Sequence, residues 1–403
     1  IYGAGLGGTV LYQPMQQRSV KNAYSELIIG SFGLLKSNTG IALHSAKSYV
    51  RAGFNLLKSD GYRDNNAYNR KNFSLTAGTA VGNKGSLSIL FNYIDLISYI
   101  PSSIDSATFA TSPKSAAFSW GAAQGFEEYT KGLLGISYAH KFNSVATLNT
   151  SFFFFFRDAF ELRPFNILEE ASKSLGLRAT LEITPKNTAW KVVAGTEVFD
   201  EDYDWQIFEN NDRQKGTELS NNAEKRQYAN IFAQAEYAIT AKLRTTVGAN
   251  FNTTRYTLID MFPGDSVDQS GDYTYEPTLS PRFSLLYMLD DKRSFFALAS
   301  HGFSPPSFAE TLTPEGQINP EIAPETGWNY ELGFKGNIFG QLFANVSVYS
   351  MQISNLLVAE RVGEDQFVGK NAGKTANNGL ELNLNYVGQL KSIQITPFAN
   401  YTF

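Results

Sequence analysis

The chain has 403 residues, with 34 Lys and Arg against 38 Asp and Glu, a formal charge of −4, 14% aromatic residues and no cysteine. That balance leaves no basic footprint for nucleic acid, the aromatic content excludes a disordered chain, and the missing thiols exclude disulfides and thiolate metal sites. Charged residues are only 18%, below the roughly 25% of soluble domains, and no apolar run approaches the roughly 18 residues of a membrane helix.

Length alone suggests two or three domains of about 150 residues, but the patterning along the chain points to one long meander. The first 20 residues are glycine-rich, and Gly3-Ala4-Gly5-Leu6-Gly7-Gly8 satisfies G-x-G-x-x-G. A dinucleotide site needs a strand before that motif and a helix after it. Only two residues precede it, and Thr9 to Pro14 does not start a helix. Close backbone approach inside a packed unit is the better reading. The chain opens in mid-motif without a signal peptide, so either a mature N-terminus or a fragment is expected.

From residue 21 to 403 the dominant signal is alternation with a period of two. Leu175, Leu177, Ala179, Leu181 and Ile183 alternate with Gly176, Arg178, Thr180 and Glu182. Ala229, Ile231, Ala233, Ala235 and Tyr237 alternate with Asn230, Phe232, Gln234 and Glu236, and Leu380, Leu382 and Leu384 with Glu381 and Asn383. Each is a strand with one apolar and one polar face. Strands are predicted at 24–34, 41–48, 50–58, 70–81, 86–99, 130–142, 145–157, 174–184 and 188–199. They continue at 227–239, 243–258, 275–289, 293–303, 326–337, 341–358, 376–388 and 392–403, a count of 17. Short turns such as Val81 to Gly85 and Asp290 to Lys292 alternate with long polar loops at 100–129, 158–173, 200–226, 259–274, 304–325 and 359–375.

A soluble propeller or sandwich could also carry such strands, but those are usually five or six residues long. Many of these run to ten or more, matching the 9–11 residues that a tilted strand needs to cross a bilayer. On the apolar faces Trp190, Tyr237, Tyr287, Phe295, Phe334 and Tyr386 gather near the short turns. Phe156, Phe199, Phe251 and Trp328 gather near the long loops, with aliphatic residues between the two groups. Two aromatic girdles around an aliphatic band, with one tight and one elaborated rim, describe a transmembrane barrel. The fold expected is therefore all-β, a transmembrane antiparallel up-and-down β-barrel. Bacterial barrels have an even number of strands, so an odd count implies further strands beyond Phe403.

Chemistry-bearing motifs are sparse. Asp200-Glu201-Asp202-Tyr203-Asp204 has oxygen ligands for calcium but no EF-hand spacing, and a solvated outer loop is the simpler reading. His44, His140 and His301 are isolated, and neither H-E-x-x-H nor G-x-S-x-G occurs. No catalytic residue, metal site or cofactor is predicted. Loops 100–129 and 158–173 collect Phe109, Phe118, Trp120, Phe126, Tyr129, Arg157, Arg163 and Phe165.

Three segments resemble the TonB-dependent outer-membrane receptors, particularly the ferric-siderophore class. Ile1 to Val10 looks like the end of that family's plug domain. Ser300-His301-Gly302-Phe303-Ser304-Pro305-Pro306-Ser307-Phe308-Ala309-Glu310 looks like a family strand entering a loop. It is followed by Ile318 to Thr326 and then by Trp328-Asn329-Tyr330-Glu331-Leu332-Gly333. The family usually has Leu-Lys-Pro-Glu where this chain has Ile322-Ala323-Pro324-Glu325, a departure that loses a positive charge and keeps the turn. Asn371-Ala372-Gly373 through Gly379-Leu380-Glu381-Leu382 is the third match, in the order and spacing the family shows.

The resemblance implies a 22-stranded barrel occluded by a plug, here with residues 1–20 as the plug's end and 21–403 as an incomplete barrel of about 17 strands. It implies location in the bacterial outer membrane, contact with lipid and lipopolysaccharide, and TonB as partner through a box upstream of this segment. The ligand implied is a ferric chelate, and haem, cobalamin and glycan importers share the scaffold. A passive channel is the alternative from another class, against which the glycine-rich opening argues. A siderophore complex is bulky, often anionic and aromatic, so rings with Arg forks would suit it. On that basis Trp120, Phe126, Tyr129, Arg157, Arg163, His301 and Glu310 are the candidate ligand contacts.

Overall fold

The computed structural model describes residue 6 and residues 22–186, 188–262, 264, 268–306, 322–363 and 366–403. The strands nearest the N-terminus are β1 (Asn22–Gly30), β2 (Leu34–His44), β3 (Ser48–Ser59), β4 (Tyr68–Val81), β5 (Gly85–Tyr99) and β6 (Phe126–Lys141). Next come β7 (Ala146–Leu162), β8 (Ile167–Ile183), β9 (Trp190–Asn211), β10 (Gln214–Ala238) and β11 (Leu243–Asp260). They continue with β12 (Gly271–Thr274), β13 (Thr278–Asp290), β14 (Arg293–Ser304), β15 (Glu325–Ile338) and β16 (Leu342–Ser354). The last are β17 (Leu357–Gly363), β18 (Gln366–Asn371), β19 (Lys374–Tyr386), β20 (Gly388–Leu390), β21 (Ile393–Ile395) and β22 (Phe398–Thr402).

Each strand of the main sheet pairs antiparallel with its neighbour in the meander, from β1 through β11, then β13 to β16, β19 and β22. Strand β12 pairs the far end of β11 and continues the line of β13. Counted as crossings, these make the 17 that the alternation predicts. Among the described residues β1 pairs only with β2, and β22 only with β19.

The connections alternate in length by rim. One rim carries short links such as 45–47, 82–84, 142–145, 239–242 and 291–292. The other carries the 60–67 loop, the 100–125 loop with α1 (Ser106–Thr111) and α2 (Phe118–Ala123), the 305–324 connection, and the β17–β18 hairpin.

One expectation needs correction on this rim. Residues 158–173 and 200–226 are not polar loops. Strands β7 and β8 continue to a turn at 163–166, and β9 and β10, of 22 and 25 residues, to a turn at 212–213. A crossing needs about 9–11 residues, so half or more of each of β9 and β10 stands beyond the bilayer.

Side-chain parity gives the wall two faces. The outer row holds Ile231 at 64% exposure, with Leu175, Leu177, Val198, Val247, Phe283 and Leu332 also exposed. An apolar band this open to its surroundings is stable only against lipid. Towards the long-loop rim the outer row turns ionic, with pairs Lys71–Asp95 at 3.5 Å, Lys225–Asp200 at 3.2 Å and Arg255–Asp272 at 3.1 Å. These pairs mark the upper limit of the band. The acidic run read as a solvated outer loop lies instead in β9 and is split by the same parity, because Asp200, Asp202 and Asp204 face outward while Glu201 and Tyr203 face inward. Phe199 is corrected too: it leaves the outer girdle and stacks inside on Tyr228 with centroids 4.9 Å apart.

Candidate ligand-binding site

The inner face near the long-loop rim is organised as register rows that run around the wall. One row reads Asn38, Asn55, Asn72, Ile94, Lys131, Arg157, Ser172, Tyr203 and Glu224. The row towards the rim reads Lys36, Leu57, Arg70, Leu96, Tyr129, Ala159, Glu170 and Trp205. Paired residues share a face and adjacent rows lie two residues apart along a strand, so side chains interact diagonally.

On β6–β10 these rows form a continuous ionic chain. Arg157 donates to Glu170 at 2.7 Å and to Glu127 at 2.8 Å. Its guanidinium also lies over the Tyr129 ring, 5.3 Å from the centroid. The Tyr203 hydroxyl donates to the other oxygen of Glu170. Arg226 packs over the Tyr203 ring at 4.7 Å and donates to Glu224 at 2.7 Å and Glu201 at 3.4 Å. Arg178 pairs with Glu197, which also accepts from Tyr228 at 3.2 Å.

Glu170 and Tyr203 stand beyond the apolar band. Burial opposes charge on Glu170, yet the bonds from Tyr203 and Arg157 outweigh it and hold the carboxyl below its ordinary value. Burial and the Glu170 carboxylate together push the Tyr203 hydroxyl up, so it stays a donor. On β7–β10 Glu170, Glu197, Glu201 and Glu224 carry four negative charges against three positive ones on Arg157, Arg178 and Arg226, leaving this sector acidic by one.

Two cavities open along the wall. One of about 730 Å³ is bordered by Asn92, Lys131, Phe155, Arg157, Glu201 and Tyr228 among others. A second, of about 350 Å³, lies between Glu201, Arg226, Tyr256, Asn230, Phe303 and Pro305. Phe303 is buried and the carbonyl of buried Pro306 accepts from Tyr275 at 3.0 Å, so the chain leaves β14 inward over the wall.

The residues singled out from the sequence fall in different places. Tyr129 and Arg157 are brought together on the inner wall, within strands rather than loops. Phe126 also begins a strand but faces the other way, against Tyr99 and Phe160. Trp120 lies in α2, its ring over Gly125. Arg163 sits at the β7–β8 tip beside Glu161 at 2.5 Å. His301 packs edge-on against Trp328, which stacks on Tyr330 in the outer girdle. Glu310 lies outside the described residues. The residues missed were Glu127, Glu170, Tyr203, Glu224 and Arg226. For Tyr203, Glu224 and Arg226 the signal was the alternation Glu197, Phe199, Glu201, Tyr203 against Glu224, Arg226, Tyr228, Asn230 on the β9–β10 hairpin.

Two of the matching sequence segments meet in space. The Asn371 side chain accepts from the Ala323 backbone at 2.8 Å and donates back to it at 3.0 Å, and Glu325 accepts from the Leu357 amide at 2.8 Å. These bonds fasten the β17–β18 hairpin to the start of β15.

The family model for the TonB dependent receptor-like beta-barrel matches residues 38–403. The chain belongs to the TonB-dependent receptor family. Solved structures agree in fold. The alcaligin outer membrane receptor FauA from Bordetella pertussis superposes with a TM-score of 0.67 at 14% identity, over 97% of this chain and 62% of its own. The copper transporter OprC gives 0.76 at 15% identity, over 94% and 60%. The ferric citrate transporter FecA, unliganded, gives 0.72 at 14% identity, over 88% and 54%. The chain therefore spans 54 to 62% of the length of these three proteins. Barrels of this family belong to the bacterial outer membrane, and its members are receptors and transporters.

Proposed function

We propose that this chain is the main barrel part of an outer-membrane receptor that binds an iron chelate at the long-loop rim and imports it to the periplasm with energy transmitted by TonB. The observation that carries the reading is the division of the wall. An apolar outer band faces lipid, while the inner face near the elaborated rim gathers rings, amides and charges around open cavities. A bulky polar complex would be held there by ring area and charge-assisted hydrogen bonds. The structural likeness to FauA and FecA, whose names carry alcaligin and ferric citrate, supports an iron chelate. Residues 1–20 would be the end of a plug inside the barrel. The Leu6 side chain lies against Gly327, whose neighbour Trp328 stands in the outer girdle, so that by alternation Gly327 is on the inner face.

The test is uptake of radioactive iron by cells producing the full-length receptor, with and without TonB. Uptake that depends on both is expected. Transport that persists without TonB would overturn the energy coupling, and none with any ferric chelate would overturn the iron reading.

A further inference from the structure

The arginines best placed to catch an anion, by sequence, are already occupied. Arg157 is held by two carboxylates and Arg163 by one. The β2–β6 sector of the same inner wall is the reverse. Lys36, Arg51, Arg70 and Lys131 face inward there, and none makes an ion pair among the described residues. The inward carboxylate of this sector on β6, Glu127, is bonded to Arg157, and Glu26 on β1, opposite Asn38, pairs with none of the four cations.

The amides between these cations are loosely engaged. Asn72 donates to Asn92 at 3.3 Å and to the Tyr93 carbonyl at 3.4 Å, Asn55 donates to the Ser37 carbonyl at 3.4 Å, and Arg70 reaches Asn55 at 3.3 Å. All four contacts lie beyond the usual 2.7–3.2 Å of an N–H···O bond. The Arg70 Nε is buried without any partner. Lys131 is exposed towards the larger cavity, with Asn92 beside it on the same lining. Cations without a carboxylate, of which Lys131 touches only the Tyr129 ring at 5.8 Å among the described residues, and under-used donors on the inner face are what an anion with several oxygens requires.

We infer that the β3–β6 inner wall, through Arg70, Lys131, Asn55, Asn72 and Asn92, is the subsite for an anionic, oxygen-rich part of the transported ligand. The inference rests on the receptor reading above and adds the charge class of the ligand. The neighbouring β7–β10 sector, where four carboxylates stand against three arginines, repels the same group and so fixes which way the ligand lies.

The test uses full-length receptor in outer membranes from cells lacking TonB, with binding on ice. The probes are ferric citrate and a ferric tris-catecholate (both anionic), a neutral ferric trihydroxamate, and neutral cyanocobalamin. Wild type should bind an anionic probe, and Lys131→Glu should weaken it about tenfold, an effect that added salt diminishes. Arg70→Gln should act in the same direction, whereas Arg293→Gln, at the short-turn rim, should leave affinity unchanged. Full affinity in both Lys131→Glu and Arg70→Gln would overturn the subsite, as would failure of both anionic probes to bind. Binding of the neutral trihydroxamate alone overturns it but leaves iron import standing. Binding of cobalamin alone overturns both.

Discussion

Arg157 bonds Glu170 diagonally across the β7–β8 ladder at 2.7 Å, since its register partner is Ser172 and that of Glu170 is Ala159. The diagonal reach lets one guanidinium join three strands, because its other nitrogen meets Glu127 on β6. The tall hairpin is thereby tied to the wall above the lipid band.

Replacing Arg157 by Gln leaves Glu127 and Glu170 facing each other without a cation. The three side chains are part-exposed, so the loss is modest, about 1 kcal/mol. It is local rather than global. Protease added to intact cells should cut the 163–166 turn faster in the variant, with assembly of the barrel unchanged.

The same bond sets a pH dependence. The Glu170 carboxyl is held below its ordinary value of 4.5, so the folded hairpin favours the ionised form. That contribution is complete above the unfolded value and disappears as pH falls through the lower folded one. Cleavage at the turn should therefore be constant at neutral pH and rise only below about 4.5. Glu170→Gln should flatten the profile.

Ile231 tests the orientation of the wall. It sits in the apolar band, 64% exposed, opposite Thr196 and Phe251. Ile231→Lys places a charge in hydrocarbon, at about 2–4 kcal/mol, and should sharply lower the yield of folded, heat-modifiable protein in outer membranes. Normal assembly of that variant would contradict a lipid-facing band.

Gly176 is covered from inside by Phe153. A Cβ there would lie 2.0 Å from the ring, and the ring is confined by stacking on Phe199 at 6.4 Å and meeting Phe155 at 5.9 Å. Gly176→Ala must displace this stack, costing about 1–3 kcal/mol. A lower unfolding midpoint in detergent is expected, and the double variant with Phe153→Ala should recover part of it.

Legibility in the sequence followed hydrophobic contrast. Where β9 crosses lipid, Val192, Ala194 and Val198 oppose Glu197, and the strand is plain from its period of two. Above the band both faces meet water or polar groups. Asp200 and Asp202 point out, Glu201 and Tyr203 point in, and the contrast vanishes although the hydrogen-bonded ladder continues. The extended hairpin consequently reads as a loop. Phe199 misleads for a related reason, since a ring next to the band is assigned outward unless its register with Tyr228 is known.

By itself the chain of residues determined the barrel class, the number of crossings and which rim is elaborated, because a wall between lipid and an aqueous interior writes its alternation locally, two residues at a time. Only the tertiary structure decided which charges meet. Arg157 lies 30 positions from Glu127 and 13 from Glu170, and the ladder registers alone bring the three together while, among the described residues, leaving Arg70 and Lys131 without a carboxylate. Pairing across strands is a long-range property, and it separates the cations that hold the wall from those that remain open to a ligand.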